Sequence, residues 1–347
     1  MRSFQYGEIG RRRWDSEILS LIAGIYKEAG KQELYLKQRP EELEKLVEIA
    51  RIQSTEASNE IEGIVTTDTR IRQLVREKVA PRNRSEKEIA GYRDALAVIH
   101  ENYDVIPVTR NYILQLHKIL YSHVNNPLAG QTKNVQNCIS AAYPDGHTET
   151  LFTPLPPYET PEALDRICEE YNRVIGNMEL EPLIAIPVFI HDFLCIHPFN
   201  DGNGRMSRLL TILLLYRSGF YVGKYISLEA KIAKDKASYY DALAASQEGW
   251  LDGTDDPEPF IKYLLGTILA AYKDFEARFA LVEKKLPALE MVRAAVRDRI
   301  GRFTKQDICE LCPSLSVSSI EGALRKMVAA GELRREGQGR SIRYIRL

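Results

Sequence analysis

Twelve consecutive residues, His197-Pro198-Phe199-Asn200-Asp201-Gly202-Asn203-Gly204-Arg205-Met206-Ser207-Arg208, gather a base, an acid, two glycines and two guanidinium groups. A neutral imidazole at His197 suits the removal of a proton from an incoming hydroxyl near neutral pH. Asp201 supplies the hard oxygen that a magnesium ion bridging phosphates requires. Glycines let backbone N–H groups come close to an anion, and a helix starting near Gly204 adds the positive end of its dipole. Arg205 and Arg208 stand three apart on that helix, on neighbouring faces, and are expected to reach one polyphosphate together. Phe199, between polar neighbours, is expected to anchor the loop in the core. The parts add up to a phosphate-transfer site.

Helices must position this loop. Apolar residues at helical spacing (Leu43, Leu46, Val47, Ala50, Ala57) predict a helix over 41–62, with Gly63 as its stop. Further helices are predicted at about 86–101, 109–123, 160–176, 183–196, 204–218, 229–248 and 257–284. One stretch differs: 134–142 and 148–153 flank Pro144-Asp145-Gly146-His147, a hairpin signal, and Pro154, Pro156 and Pro157 impose an extended exit. Past Leu286-Pro287 come helices at about 288–299, 304–311 and 316–330. The turn at Gly337-Gln338-Gly339 then joins Leu333–Arg335 to Ser341–Ile345, a winged helix-turn-helix pattern.

A chain of 347 residues holds about two domains, and its 44% apolar and 27% charged residues exclude disorder as an overall description. A net charge of -1 argues against a surface that coats nucleic acid throughout. The start carries no signal-peptide core, and the densest apolar run, 182–199, is interrupted by Pro187, His191, Asp192 and His197. The expectation is a cytoplasmic protein without a membrane span. The five cysteines suggest no disulfide framework. Cys309-Glu310-Leu311-Cys312 has metal-like spacing but no second ligand pair, so packed thiols are expected there.

The run from His197 to Arg208 resembles the signature of the Fic family, His-x-Phe-x-Asp/Glu-Gly-Asn-Gly-Arg-x-x-Arg, and fills every fixed position. The resemblance covers about residues 50–270. It implies a mainly α fold, a Fic-type helical bundle with a β-hairpin flap, beside the small C-terminal winged helix-turn-helix domain. The implied layout is an N-terminal helical region at 1–85, a catalytic core at 86–285 with its flap at about 130–157, and the winged module at 288–347. Gly130 opens the flap, with Lys133 where arginine would be expected, leaving target choice open. His191, six residues before His197, is read as a packed core histidine. Tyr239 and Tyr240, in a Tyr-Tyr-Asp-Ala-Leu run, resemble the segment lining the nucleotide pocket.

The resemblance implies a protein adenylyltransferase that moves AMP from ATP to a Ser, Thr or Tyr hydroxyl of a target protein or of the chain itself. His197 would be the base and Asp201 the magnesium ligand. Gly202, Asn203 and Gly204 would cradle the phosphates, Asn203 nearest the α-phosphate, and Arg205 and Arg208 would grip the β- and γ-phosphates. Glycine at 204, where related kinases have lysine, favours nucleotidyl over γ-phosphoryl transfer. Removal of AMP and transfer of other phosphorylated groups share the scaffold, and a DNA-binding regulator with a nucleotide-sensing core is the alternative from another class.

Ser58-Asn59-Glu60-Ile61-Glu62-Gly63 resembles the family's inhibitory motif. Independently, Glu62 falls at a helix C-terminal end, where a carboxylate is disfavoured by roughly 0.3–1 kcal/mol unless a cation is near. The resemblance names Arg208 as that cation, and Ser58, one turn earlier, is expected to bond Glu62 or the loop. Residues 302–347 carry nine Lys/Arg against five Asp/Glu. This modest positive balance would suit DNA, a docking protein or a second copy of the chain as partner.

Overall fold

The computed structural model describes residues 4–38, 40–142, 148–283, 287–297, 301–312, 315–338 and 342–346. The centre is a pair of helices, α8 (Pro182–Ile196) and α9 (Asn203–Arg217), on either side of the motif loop. Every residue from Leu183 to Ile196 and from Arg205 to Tyr216 is buried, so neither helix shows the one-sided pattern of a surface helix. Around them, in chain order, lie α1 (Tyr6–Gly10), α2 (Ser16–Gln38), α3 (Pro40–Ile61), α4 (Asp68–Arg76), α5 (Arg84–Asn102), α6 (Arg110–Leu120) and α7 (Thr160–Gly176). The set is completed by α10 (Leu228–Lys234), α11 (Lys236–Gln247) and α12 (Glu258–Glu283). α8 packs on α7, α9 and α12; α5 packs on α3, α6 and α9; α3 also lies along α10.

Sequence periodicity finds most of these elements; the short α1 is not anticipated, and three longer stretches also differ. α2 is not anticipated, although Ile18 and Ile25 bury one face of it against α12. α4 is a short helix whose N-cap Thr67 accepts from Arg70 N. The predicted helix 229–248 is two helices, because Asp235 ends α10 and its carboxylate then accepts from Ser238 N at the start of α11.

The hairpin pairs β1 (Ile139–Ala142) with β2 (Thr148–Phe152), antiparallel, with an irregularity between Ile139 and Ser140. The Asp145-Gly146 turn lies outside the described residues. β1 begins later than predicted because Lys133, Asn134 and Asn137 are bonded to the motif loop instead of to β2. No described helix is long and apolar enough to cross a membrane.

The C-terminal part has its own core, with Val292, Val296, Phe303, Ile308, Cys312, Ile320, Leu324 and Leu333 among its buried residues. The elements are α13 (Ala288–Arg297), β3 (Arg302–Phe303), α14 (Lys305–Leu311), α15 (Val317–Ala329), β4 (Leu333–Glu336) and β5 (Arg343–Arg346). β3 joins the predicted hairpin as a third strand, in the order β3-β5-β4. Thr304 and Asp307 form a capping box on α14. Some of the basic charge is neutralised locally: Arg302 and Arg334 share Glu336, and Lys305 meets Glu321. Cys312 is buried in this core, and Cys309 is half-buried.

The seat of the site depends on a close approach of α5 to the end of α6. A Cβ on Gly91 would overlap the Leu120 carbonyl oxygen, and backbone cannot swing away as a side chain can. Gly91→Ala is therefore expected to cost about 2–3 kcal/mol, read as a lower denaturant midpoint at unchanged slope.

Candidate active site

The motif loop leaves α8 through His197 in the left-handed conformation, φ 51° and ψ 63°, which is unusual for a residue with a Cβ. Its N–H still closes the helix on Phe193 O at 3.0 Å, and Nδ1 lies 3.2 Å from Leu194 O. That contact makes Nδ1 the protonated nitrogen and leaves the lone pair on Nε2. Burial, aided by the charge of Lys133, pushes the imidazole down to about 4, so it is neutral at physiological pH.

The flap's first residues hold this loop. Lys133 N donates to Pro198 O at 2.8 Å and its Nζ to Ile196 O at 3.0 Å, while Asn137 Nδ2 donates to Phe199 O at 3.0 Å. Asn134 and Asn200 exchange side-chain and backbone bonds. Lys133 therefore faces inward, buried and with its ammonium pushed down to about 8 by desolvation, and does not present itself to a target.

His117 supports the loop from below. Its ring stacks on Phe199 at 3.7 Å, Nδ1 accepts from Gly130 N at 2.9 Å, and Nε2 lies 3.1 Å from Asp201 O. Accepting at Nδ1 requires the neutral ring, and burial pushes it down to about 4. His100 is pushed down to about 3 by the same cause. Folded values below the unfolded value of about 6.5 mean that the unfolded chain binds more protons between them. The stability that these two rings contribute should be complete above about pH 6.5 and be lost progressively as pH falls through 4 towards 3. Thermal melts across that range test this, and His117→Asn should flatten the slope.

Gly202, at φ 85°, starts α9 with Tyr121 packed directly against it. Asn203 spends its side chain on the loop itself: Oδ1 accepts from Phe199 N at 2.9 Å and Nδ2 donates to Phe199 O at 2.7 Å. These two bonds brace the turn and commit one of the two amide N–H groups of Asn203 to the loop itself. Arg205 departs from expectation. Its side chain is 1% exposed and lies behind the loop, 2.9 Å from Glu88, with Nη2 donating to the Tyr121 hydroxyl at 2.8 Å. Three residues along a helix turn the side chain by about 60°, and α5 supplies a carboxylate on the face that Arg205 meets. Arg205 thus sits in the wall, and Arg208 alone of the pair lines the cavity.

Arg208 is buried and engaged through Nε and Nη2. Nε donates to Ser58 Oγ at 2.8 Å, and Nη2 donates to Ser58 O at 2.9 Å and to Glu62 Oε1 at 2.7 Å. Ser58 therefore bonds Arg208 and not Glu62. Glu62 sits one residue past the end of α3, where Gly63 at φ 75° closes the helix with N–H bonds to Glu60 O. Its carboxylate lies over Gly204, in the first turn of α9, where a helix attracts an anion.

His197, Gly204, Arg208 and Glu62 line one cavity of about 970 Å³, large enough for a nucleotide. Tyr239, buried beside Arg208, and the half-exposed Tyr240 lie on its α11 side, with Leu243 and Gln247. Ile139, Leu151 and Phe152 of the hairpin, with Cys138 just before it, also line the cavity. Among the lining residues that sequence reasoning missed, two make polar side-chain contacts across elements. Trp250 donates Nε1 to the buried Asp192 at 2.6 Å, which also accepts from Tyr6 at 2.8 Å. Lys236, the first residue of α11, donates Nζ to Ile61 O at 2.6 Å. A lysine three residues before Tyr239, one helical turn away, was the available signal for the second. His191 is a buried core residue beside Cys195.

Asp201 holds its side chain 59% exposed at the loop's edge, with Oδ1 accepting from Gly202 N at 2.7 Å and Tyr121 hydrogen-bonded to it. Among the described residues no group of three or more His, Cys, Asp or Glu gathers for a metal. A single accessible carboxylate suits magnesium, which is commonly held through one or two carboxylates with substrate phosphates and water, and does not suit a protein-caged ion.

Residues 107–215 match the Fic/DOC family. Among curated proteins, the chain is 25% identical over 232 residues to the protein adenylyltransferase Fic of Nematostella vectensis, covering 64% of this chain and 48% of that one. It is 28% identical over 258 residues to the Drosophila melanogaster protein of the same name, covering 72% and 47%. The chain thus spans about half the length of these relatives. Its fold is similar to the crystal structure of a Fic family protein from Desulfovibrio desulfuricans G20, with TM-score 0.61, 20% identity and 97% coverage of both chains. A fragment of Fic-1 from Caenorhabditis elegans aligns with TM-score 0.57 at 19% identity, covering 77% of this chain and 73% of that one.

Proposed function

We infer that this chain, whose residues 107–215 match the Fic/DOC family, transfers AMP from ATP to a hydroxyl of a target protein or of itself. One observation carries the reading: a neutral histidine with its Nε2 lone pair unspent shares a nucleotide-sized cavity with Arg208 and with Gly204 in the N-terminal turn of α9. In the reaction the target oxygen bonds to the α-phosphorus, its proton passes to His197 Nε2, and the bond to the bridging oxygen breaks to release pyrophosphate. The chain's part is to position the reactants and neutralise charge.

Arg208 and the first turn of α9 receive the outer phosphates. Arg205, Tyr121 and Asn203 keep the loop rigid from behind. Asp201 would hold magnesium, which when bound neutralises the phosphate oxygens. Tyr239 and Tyr240 form the side of the pocket that meets the nucleoside, and the hairpin orders the target's backbone by strand addition. Ser58, Glu62 and Gly63 form a brake: the Glu62 carboxylate occupies the place of the γ-phosphate and holds the guanidinium it needs. The test is mass spectrometry of the Glu62→Gly variant incubated with ATP and magnesium. An added AMP group on the chain or on a lysate protein is expected; its absence from a folded variant that binds ATP overturns the reading.

A further inference from the structure

We propose that Lys236 is a second latch of the brake and, once the latch opens, a binding residue for the outer phosphates of the nucleotide. The proposal deepens the adenylyl-transfer reading and rests on it for the identity of the nucleotide. Lys236 opens α11, and its Nζ donates to Ile61 O, the carbonyl of the last residue of α3. Its ammonium also lies 5.6 Å from the centre of the Tyr240 ring. It lines the same cavity as Glu62, Gly204 and Arg208.

The end of α3 carries the negative pole of its dipole and carbonyls without helical partners. Two cations serve it. Arg208 takes Ser58 O and Glu62, and Lys236 takes Ile61 O. The two differ in what they would lose to a ligand. Arg208 must give up a carboxylate, whereas Lys236 gives up only a neutral carbonyl. A phosphate oxygen carries full charge and forms the stronger hydrogen bond to an ammonium. Lys236 therefore changes partner readily when a polyphosphate enters, and in doing so it frees the segment that carries Glu62. Without nucleotide, the same lysine keeps that segment in place. The compact, flexible ammonium suits such an exchange better than a planar fork would.

Two opposite effects of one substitution follow. In the otherwise unchanged chain, Lys236→Met should speed amide hydrogen exchange at residues 59–63 by about tenfold, on the scale of one lost charge-assisted bond. In the Glu62→Gly background, Lys236→Met should weaken ATP binding about tenfold by calorimetry and leave AMP binding unchanged, because AMP lacks the outer phosphates. Lys236→Arg should recover most of both. Unchanged exchange at 59–63, or equal losses for ATP and AMP, would overturn the proposal. Neither readout requires turnover, so a Glu62→Gly variant that binds as expected yet transfers no AMP would refute the activity while upholding Lys236.

Discussion

His197→Ala in the Glu62→Gly background is expected to lower AMP incorporation from labelled ATP by roughly 10²–10⁴-fold, the contribution of a positioned general base. ATP affinity should hold, since no phosphate-binding group is removed. The expectation rests on tautomer and position. Nδ1 is committed to Leu194 O, and burial keeps the ring neutral at physiological pH. Alanine is the informative choice. It retains a Cβ in the left-handed conformation at 197, so the backbone strain is nearly unchanged, whereas glycine would relieve that strain and confuse loss of the base with relaxation of the loop. Isothermal calorimetry for ATP beside the incorporation assay separates the outcomes. A fall in both would make His197 a packing residue, and a variant with undiminished transfer would remove it from the mechanism.

The second large effect has two opposite signs in one variant. Glu62→Gly should raise transfer by about 10- to 100-fold and at the same time lower stability by about 1–3 kcal/mol. Arg208 is buried and would lose its only carboxylate partner among the described residues, although both Ser58 contacts persist. The loss falls below that of a fully buried pair because the Glu62 side chain is 32% exposed. ATP with magnesium should raise the melting temperature more in the variant than in the parent, because the vacated guanidinium then has an anion to hold. Glu62→Gln, which keeps the shape and removes the charge, should fall between them. Equal thermal shifts on ATP addition in parent and variant would show that the carboxylate does not obstruct the nucleotide.

The site was legible where its parts are contiguous. His197 to Arg208 form one loop and one helix start, so sequence order alone puts the base, the turn and the guanidinium groups near one another. The link to Glu62 spans 146 residues, and the physical hint was only an acid at an unfavourable helix end. What stayed hidden depended on partners from other elements. Arg205 turns to the wall because Glu88 on α5 lies there. Asn203 is occupied by Phe199, and Lys133 points inward because the end of α8 presents carbonyls to it. The break at Asp235 was readable as a cap, since an aspartate three residues before Ser238 can serve that N–H, but the apolar rhythm ran across it. Trp250 and Asp192 show no local signal, because their pairing joins separate helices.

Gly204 and Glu62 share one small volume. A Cβ at position 204 would fall where Glu62 Oε1 now lies, and because that atom is the far end of a flexible side chain the carboxylate would swing aside while the backbone stayed put. The smallness of residue 204 therefore keeps the acid within reach of Arg208, and a larger residue there would loosen that grip with Glu62 still in the sequence.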